Sequence, residues 1–188
     1  MKAAGTTVVA REATTDKTSD FKALLTKIKG MNPDYIFWGG MDDTGATLVK
    51  QLKELGLTSQ FAGADGICTS KFMELSGAAG KGAICSQAGM PLEKMPKGAE
   101  FSANYEKAFP GQKVQVYAPF AYDAVYAIVA AMKQANSVEP EAIAAAMPKV
   151  AIEGLIGPIA FDEKGDIKNG AISIFEVKDK LEVIDIIK

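Results

Sequence analysis

The sequence predicts an α/β fold with a doubly wound parallel sheet, and three observations carry that expectation. Short apolar runs alternate along the chain with segments whose apolar residues recur at helical spacing. One of the runs, Tyr35-Ile36-Phe37-Trp38, is apolar throughout, as in a strand covered by helices on both faces. Glycine or a short polar residue marks the junctions, as at Gly30, Gly39-Gly40 and Gly56.

Taken in order, Thr6 to Arg11 reads as a strand, and Phe21, Leu24, Leu25 and Ile28 then fall on one face of a helix. Ser19 or Asp20 can cap that helix and Gly30 can end it. Tyr35-Ile36-Phe37-Trp38 follows as a buried strand that stops at Gly39-Gly40. Asp42 or Asp43 places a carboxylate in the first turn of a helix whose Leu48, Val49, Leu52 and Leu55 share a face, with Gly56 beyond its end. Gln60 to Ala64 is the next strand, then a short helix through Phe72 and Leu75, a strand from Ala83 to Ser86, and a helix from Gly98 to Phe109. Repeated strand and helix units imply parallel strands joined by right-handed crossovers.

After Pro110-Gly111 the pattern changes. Phe120 to Ala135 reads as a long alanine-rich helix, apolar over most of its circumference and therefore expected to be buried. A second helix, Glu141 to Met147, follows Pro140. The tail reads as strands at Leu155 to Phe161, Ile172 to Val177 and Leu181 to Ile187, separated by polar turns at Asp162 to Asp166 and Lys178 to Lys180. A domain boundary near Val114 to Pro119 fits this change of pattern.

The composition removes several function classes. In 188 residues, 21 Lys and Arg nearly balance 23 Asp and Glu, and no run of like charge suggests a nucleic-acid partner. No apolar stretch reaches the length of a membrane span, and Met1 to Thr7 holds no leader-type apolar run. The chain has no histidine, so imidazole-based triads and the commonest metal ligand are absent. No enzyme activity, metal or cofactor is expected. Cys68 and Cys85 are too few for a zinc site and form either one disulfide or two buried thiols.

Ligands of open α/β sheets sit beyond the carboxyl ends of the strands, which directs attention to three places. Gly40, Met41 and Asp42 follow the Tyr35 strand, where glycine allows close approach and a helix begins. The alternative is a tight turn with a cap. Asp65, beside Gly66, follows the Gln60 strand and can meet a ligand ammonium, although Asp-Gly is also an ordinary turn. Tyr117, beside Pro119 at the boundary, can lie against ligand in an interdomain cleft or simply pack. Tyr122 and Tyr126, four apart, read as packing residues. Asp162 to Asp166 resembles a calcium loop, but Lys164 occupies a ligand position and Ile167 stands where glycine is required, so a hairpin turn is expected. Gly77 to Gly82 joins a helix to a strand, the wrong end of the sheet for a phosphate.

Several segments taken together resemble the branched-chain amino-acid-binding proteins of bacterial ABC importers, which are type I periplasmic solute-binding proteins. They are Asn32 to Gly40, Leu48 to Leu57, Phe61 to Gly66, Tyr117 with Ala121 to Ala124, and Gly154 to Pro158 leading to Asp166. The resemblance implies non-catalytic capture of an amino acid such as leucine, isoleucine or valine, a permease partner and a periplasmic location. It places Met41 where the family often has a tyrosine against the ligand, Asp65 where a glutamate meets the α-ammonium, and Tyr117 where an aromatic touches the ligand side chain. Residues 1–115 then correspond to most of lobe two, 116–168 to part of lobe one, and 169–188 to the return.

The resemblance further implies that a strand is missing between Thr6 to Arg11 and Tyr35 to Trp38. A rearranged C-terminal strand, a strand from a second copy, or direct pairing of the two orphans would fill the gap, and self-association through the sheet is the expected consequence. The alternative function is a self-associating fragment with no ligand affinity of its own.

Overall fold

The computed structural model describes residues 5–187, so the reading of the first residues as free of a leader lies partly outside this range. The chain divides into two compact units, one formed by residues 1–87 with 173–186 and the other by 88–172 with 187–188. The first crossing therefore falls at Gln87, well before the expected boundary, and the helix beginning at Gly98 belongs to the second unit.

From Lys22 onward the secondary structure of the first unit follows the hydrophobic pattern closely. Helix α1 (Lys22–Lys29) is entered through Asp20, whose Oδ1 accepts from the Lys22 N–H at 2.9 Å. Strand β1 (Tyr35–Trp38) leads to α2 (Asp42–Glu54), which opens on Asp42 and Asp43 and is followed by Gly56 at φ +67. Strand β2 (Gln60–Gly63) leads to α3 (Ser70–Ser76), capped by the Thr69 hydroxyl accepting from the Phe72 N–H at 2.9 Å. Strand β3 is Ile84–Ala88.

The second unit contains α4 (Gly98–Ala108), α5 (Ala118–Ala135), α6 (Pro140–Ala146) and the short strands β4 (Ala151–Glu153) and β5 (Pro158–Ala160). The chain ends in β6 (Ile172–Val177) and β7 (Leu181–Ile187), with the bounds the sequence suggested.

The main sheet has the order β1-β2-β3-β6-β7. β1, β2 and β3 are parallel, with Tyr35 opposite Gln60 and Ala62 opposite Ile84. β6 joins beside β3, where the Val177 N–H donates to the Ala83 carbonyl at 2.8 Å, and the β6-β7 hairpin makes the sheet mixed. One core is built on it from Phe21, Leu25, Leu48, Val49, Leu52, Phe61, Phe72 and Val177, all but fully buried. Phe21 meets Trp38 edge-on at 5.8 Å between centroids, and Phe61 stacks on Phe72 at 6.2 Å.

Four expectations are corrected. Thr6 to Arg11 pairs with no strand among the described residues, and Val8 and Val9 stand about half exposed. Neither intrachain remedy for the gap is seen among the described residues, because β7 pairs at the far end of the sheet and β1 remains an edge. The strand expected at Leu155 to Phe161 is instead the second arm of a hairpin, in which Ile152 faces Ile159. The break has a cause in Asp123, whose two carboxylate oxygens accept from the N–H groups of Leu155 and Ile156, each at 2.8 Å. Helix α5 is not buried all round, since Tyr122, Val125, Tyr126 and Ile128 are largely exposed while Ala127 and Ala131 pack toward Val150.

Candidate functional site

The first unit brings together the loops that follow β1 and β2. Trp38 ends β1, and its indole lies under the next turn, where Nε1 donates to the Met41 carbonyl at 3.2 Å. The same oxygen accepts from the Gly45 N–H at 2.9 Å and from the Thr44 hydroxyl at 3.4 Å. Room for the indole is why glycine stands at two positions. A Cβ at Gly40 would lie 2.5 Å from the Trp38 ring, and one at Gly45 would lie 3.0 Å from it and 2.9 Å from Ile67. Gly39 meets no such crowding.

The second loop closes on the first. A Cβ at Gly66 would come within 2.5 Å of the Gly40 carbonyl oxygen and 3.2 Å of the Met41 sulfur, so the two turns touch through backbone and a thioether. Asp65 opens the short 3-10 turn Asp65–Ile67 and is exposed beside this contact, while Ile67 plugs the core beneath it. Asp42 is tied into the same cluster: its Oδ2 accepts from the Thr69 hydroxyl at 3.1 Å, and Thr69 caps α3 in turn. That link was not foreseen, because it depends on a contact between segments far apart in sequence.

Cys68 and Cys85 are joined by a disulfide, with Cα atoms 5.4 Å apart and both residues buried. The bridge fastens the end of the Asp65 loop to β3, and Gln87 adds to it by donating to the Cys68 carbonyl at 2.7 Å. Gly40, Met41, Asp42 and Asp65 thus sit on one platform at the carboxyl ends of adjacent parallel strands. The platform offers a carboxylate for a cation and an exposed thioether, Met41 being 56% exposed, for an apolar group. Tyr117 lies in the second unit, just before α5, and is 46% exposed.

The second unit has a pocket of about 870 Å³ between α4, α5 and the turn at Gly154. Its walls include a run of touching rings, Phe109, Tyr105, Phe101, Tyr122 and Tyr126, with successive centroids 4.9 to 5.9 Å apart. The Tyr122 hydroxyl donates to that of Tyr126 at 3.2 Å, which holds its ionisation above the usual phenol value. Met41, Asp65 and Tyr117 do not line this pocket, so it does not carry the candidate site. Asp162 forms the expected tight turn, accepting from the N–H groups of Lys164 and Asp166. No cluster of metal-ligating side chains and no helix long and apolar enough to cross a membrane occurs among the described residues.

Comparison with known proteins gives a consistent picture. The sequence profile of a family described as periplasmic binding protein matches residues 1–181. A Leu/Ile/Val-binding protein homolog of Brucella suis is 31% identical over 150 residues, which are 79% of this chain and 40% of that protein. A leucine-, isoleucine-, valine-, threonine- and alanine-binding protein of Pseudomonas aeruginosa is 30% identical over 175 residues, 92% of this chain and 46% of that protein. Among solved structures, a leucine-binding protein of Thermotoga maritima superposes with a TM-score of 0.80 and 25% identity, covering 92% of this chain and 49% of its own. A branched-chain amino acid transporter substrate-binding protein of Streptococcus pneumoniae, solved with isoleucine, gives 0.75 at 22% identity, a likeness of fold, covering 95% and 51%. The chain spans about half the length of these relatives.

Proposed function

Because the chain belongs to the periplasmic binding protein family, whose members are solute-binding rather than enzymatic, we propose that it forms one wall of an amino-acid site serving an ABC importer. The observation that carries this reading is the contact between the Gly40-Met41 turn and Gly66, which sets an apolar thioether and the Asp65 carboxylate at adjoining strand ends. Asp65 receives the ligand α-ammonium and Met41 the aliphatic side chain. The relatives named for leucine, isoleucine and valine support that ligand class. The compact unit of residues 1–87 with 173–186 corresponds to most of lobe two, and the unit holding Tyr117 to part of lobe one. A membrane permease is the partner and the periplasm the compartment. Tyr117 contacts the ligand side chain in the assembled protein.

Titration calorimetry of the purified chain with leucine, isoleucine and valine tests the reading. Heat and a thermal shift are expected, and Asp65→Asn should weaken binding about tenfold to a hundredfold, the range for a hydrogen bond to a charged group. Absence of both signals with every amino acid would sink it.

A further inference from the structure

The chain has eight methionines, and the one at the candidate site is placed unlike the rest. Met41 is 56% exposed and Met31 39%, whereas the other described methionines are half-buried or buried. The Met41 backbone cannot withdraw, because its carbonyl accepts from Trp38, Thr44 and Gly45. Its sulfur lies against Gly66, where a Cβ would come within 3.2 Å, and glycine has no side chain with which to cover it. A wall that receives a ligand is open to solvent whenever it is empty, so this sulfur is reachable in the state that awaits ligand.

No thiol competes with it. The two cysteines of the chain, Cys68 and Cys85, are bonded to each other and buried. Thiolates are the side chains that two-electron oxidants attack first, and the thioether of methionine is the other sulfur open to them. The bridge also fits an oxidising compartment. An oxidant that reaches the platform therefore meets the Met41 thioether as its exposed sulfur.

We propose that Met41 is the oxidant-sensitive group of the amino-acid wall, and that its conversion to the sulfoxide by a peroxide lowers ligand affinity until the thioether is restored. The inference rests on the proposed function and adds its regulation. In the step, the sulfur lone pair attacks one oxygen of hydrogen peroxide, the O–O bond breaks, and the sulfur gives up two electrons as the S–O bond forms. The second oxygen leaves with both protons as water. An apolar surface thereby becomes a polar one that carries an acceptor oxygen. Against the side chain of leucine or isoleucine that oxygen loses its water and gains no donor, which weakens binding about tenfold to a hundredfold. The Asp65 carboxylate on the same platform is an acceptor too and supplies no proton. Thiol-dependent reductases return a methionine sulfoxide to the thioether, so the change is reversible.

Peptide mass mapping of the full chain during a hydrogen peroxide time course, with and without excess leucine, reads the site of oxidation. Leucine calorimetry before and after the treatment reads its consequence. Met41 should take up oxygen ahead of Met31, and leucine should slow the reaction at Met41 and not at Met31. The affinity should fall by the factor given above and return after treatment with methionine sulfoxide reductases of both epimer specificities. Met41→Leu should give the same heat before and after peroxide, whatever its starting affinity, and Met31→Leu should keep the full response. Oxidation of Met31 first, or a chain that binds leucine without shielding Met41, overturns Met41 as the sensitive group. Leucine affinity unchanged once Met41 is fully converted overturns the control of capture and leaves the amino-acid site standing. An untreated chain that gives no heat sinks the amino-acid reading itself and the regulation with it, while the order of Met41 and Met31 in the map still decides where the oxidant acts.

Discussion

The indole Nε1 of Trp38 donates to the carbonyl oxygen of Met41 at 3.2 Å, so the last residue of β1 holds the turn that presents the candidate site. Gly45 on α2 leaves space for that indole, since a Cβ there would sit 2.9 Å from Ile67 and 3.0 Å from the ring. Gly45→Ala has two opposing effects. It gains the helix propensity of alanine, about 1 kcal/mol, but overpacks a buried position at a cost of about 1 to 3 kcal/mol. Because both neighbours are held by the core, the crowding should win and leave a net loss of about 1 kcal/mol. Urea unfolding with an unchanged slope would measure it, and a more stable variant would show that the indole is free to move.

The disulfide between Cys68 and Cys85 closes a loop with a sequence separation of 17. Restricting the unfolded chain over such a loop is worth about 3 kcal/mol. Removing both sulfurs by Cys68→Ala with Cys85→Ala should lower unfolding free energy by that order. Both residues are buried, so reductant should act slowly on the folded protein. The unreduced protein should weigh less than the reduced sequence by the thiol hydrogens. An intact mass equal to the fully reduced chain would refute the bridge.

The sequence makes these elements legible to different degrees for physical reasons. α2, with one clean apolar face and carboxylates in its first turn, is determined locally, and so is β6, in which every second residue is buried. Thr6 to Arg11 has the composition of a strand, yet a strand is a pairing and not a composition, and this segment pairs with none of the described strands. The split of Leu155 to Phe161 depends on Asp123, which lies 32 residues from Leu155 and reads in sequence as one more helical polar residue. For α5, alanine-rich periodicity shows that much of the surface is apolar without saying which side is covered. The site follows the same division. Gly40 and Asp65 stand out because strand ends are where such sheets bind, whereas the Thr69 to Asp42 bond needs two loops to be placed first.

A pH effect follows from the surface pair Lys81 and Asp179. The Lys81 ammonium donates to the Asp179 carboxylate at 2.7 Å, and this bond together with the opposite charge holds the Asp179 carboxyl below its usual value. A carboxyl depressed by folding stabilises the fold at pH above its unfolded value. That contribution fades as pH falls through the lower, folded value, where both states become protonated. The pair is highly exposed, so its effect on stability should be small and weakened by salt. An NMR titration should give Asp179 a midpoint below that of an unpaired aspartate, and Lys81→Ala should raise it. An unchanged midpoint in that variant would remove the assigned cause.

Asp123 should be the most sensitive polar position in the second unit. It is 2% exposed, and each of its oxygens holds one backbone N–H of the turn between β4 and β5. Replacing it with alanine leaves the buried Leu155 donor without this acceptor and also empties the space beside Gly154, where a Cβ would lie 2.5 Å from Asp123 Oδ2. A loss of about 2 to 4 kcal/mol is expected from a charge-assisted pair of bonds and the donors left behind. Asp123→Asn retains one acceptor oxygen but turns an amide N–H₂ toward the other backbone donor, so it should recover only part of that loss. The order wild type, asparagine, alanine in denaturant midpoint would identify the carboxylate as the clasp of the turn; equal midpoints would mean that the hairpin holds its shape without it.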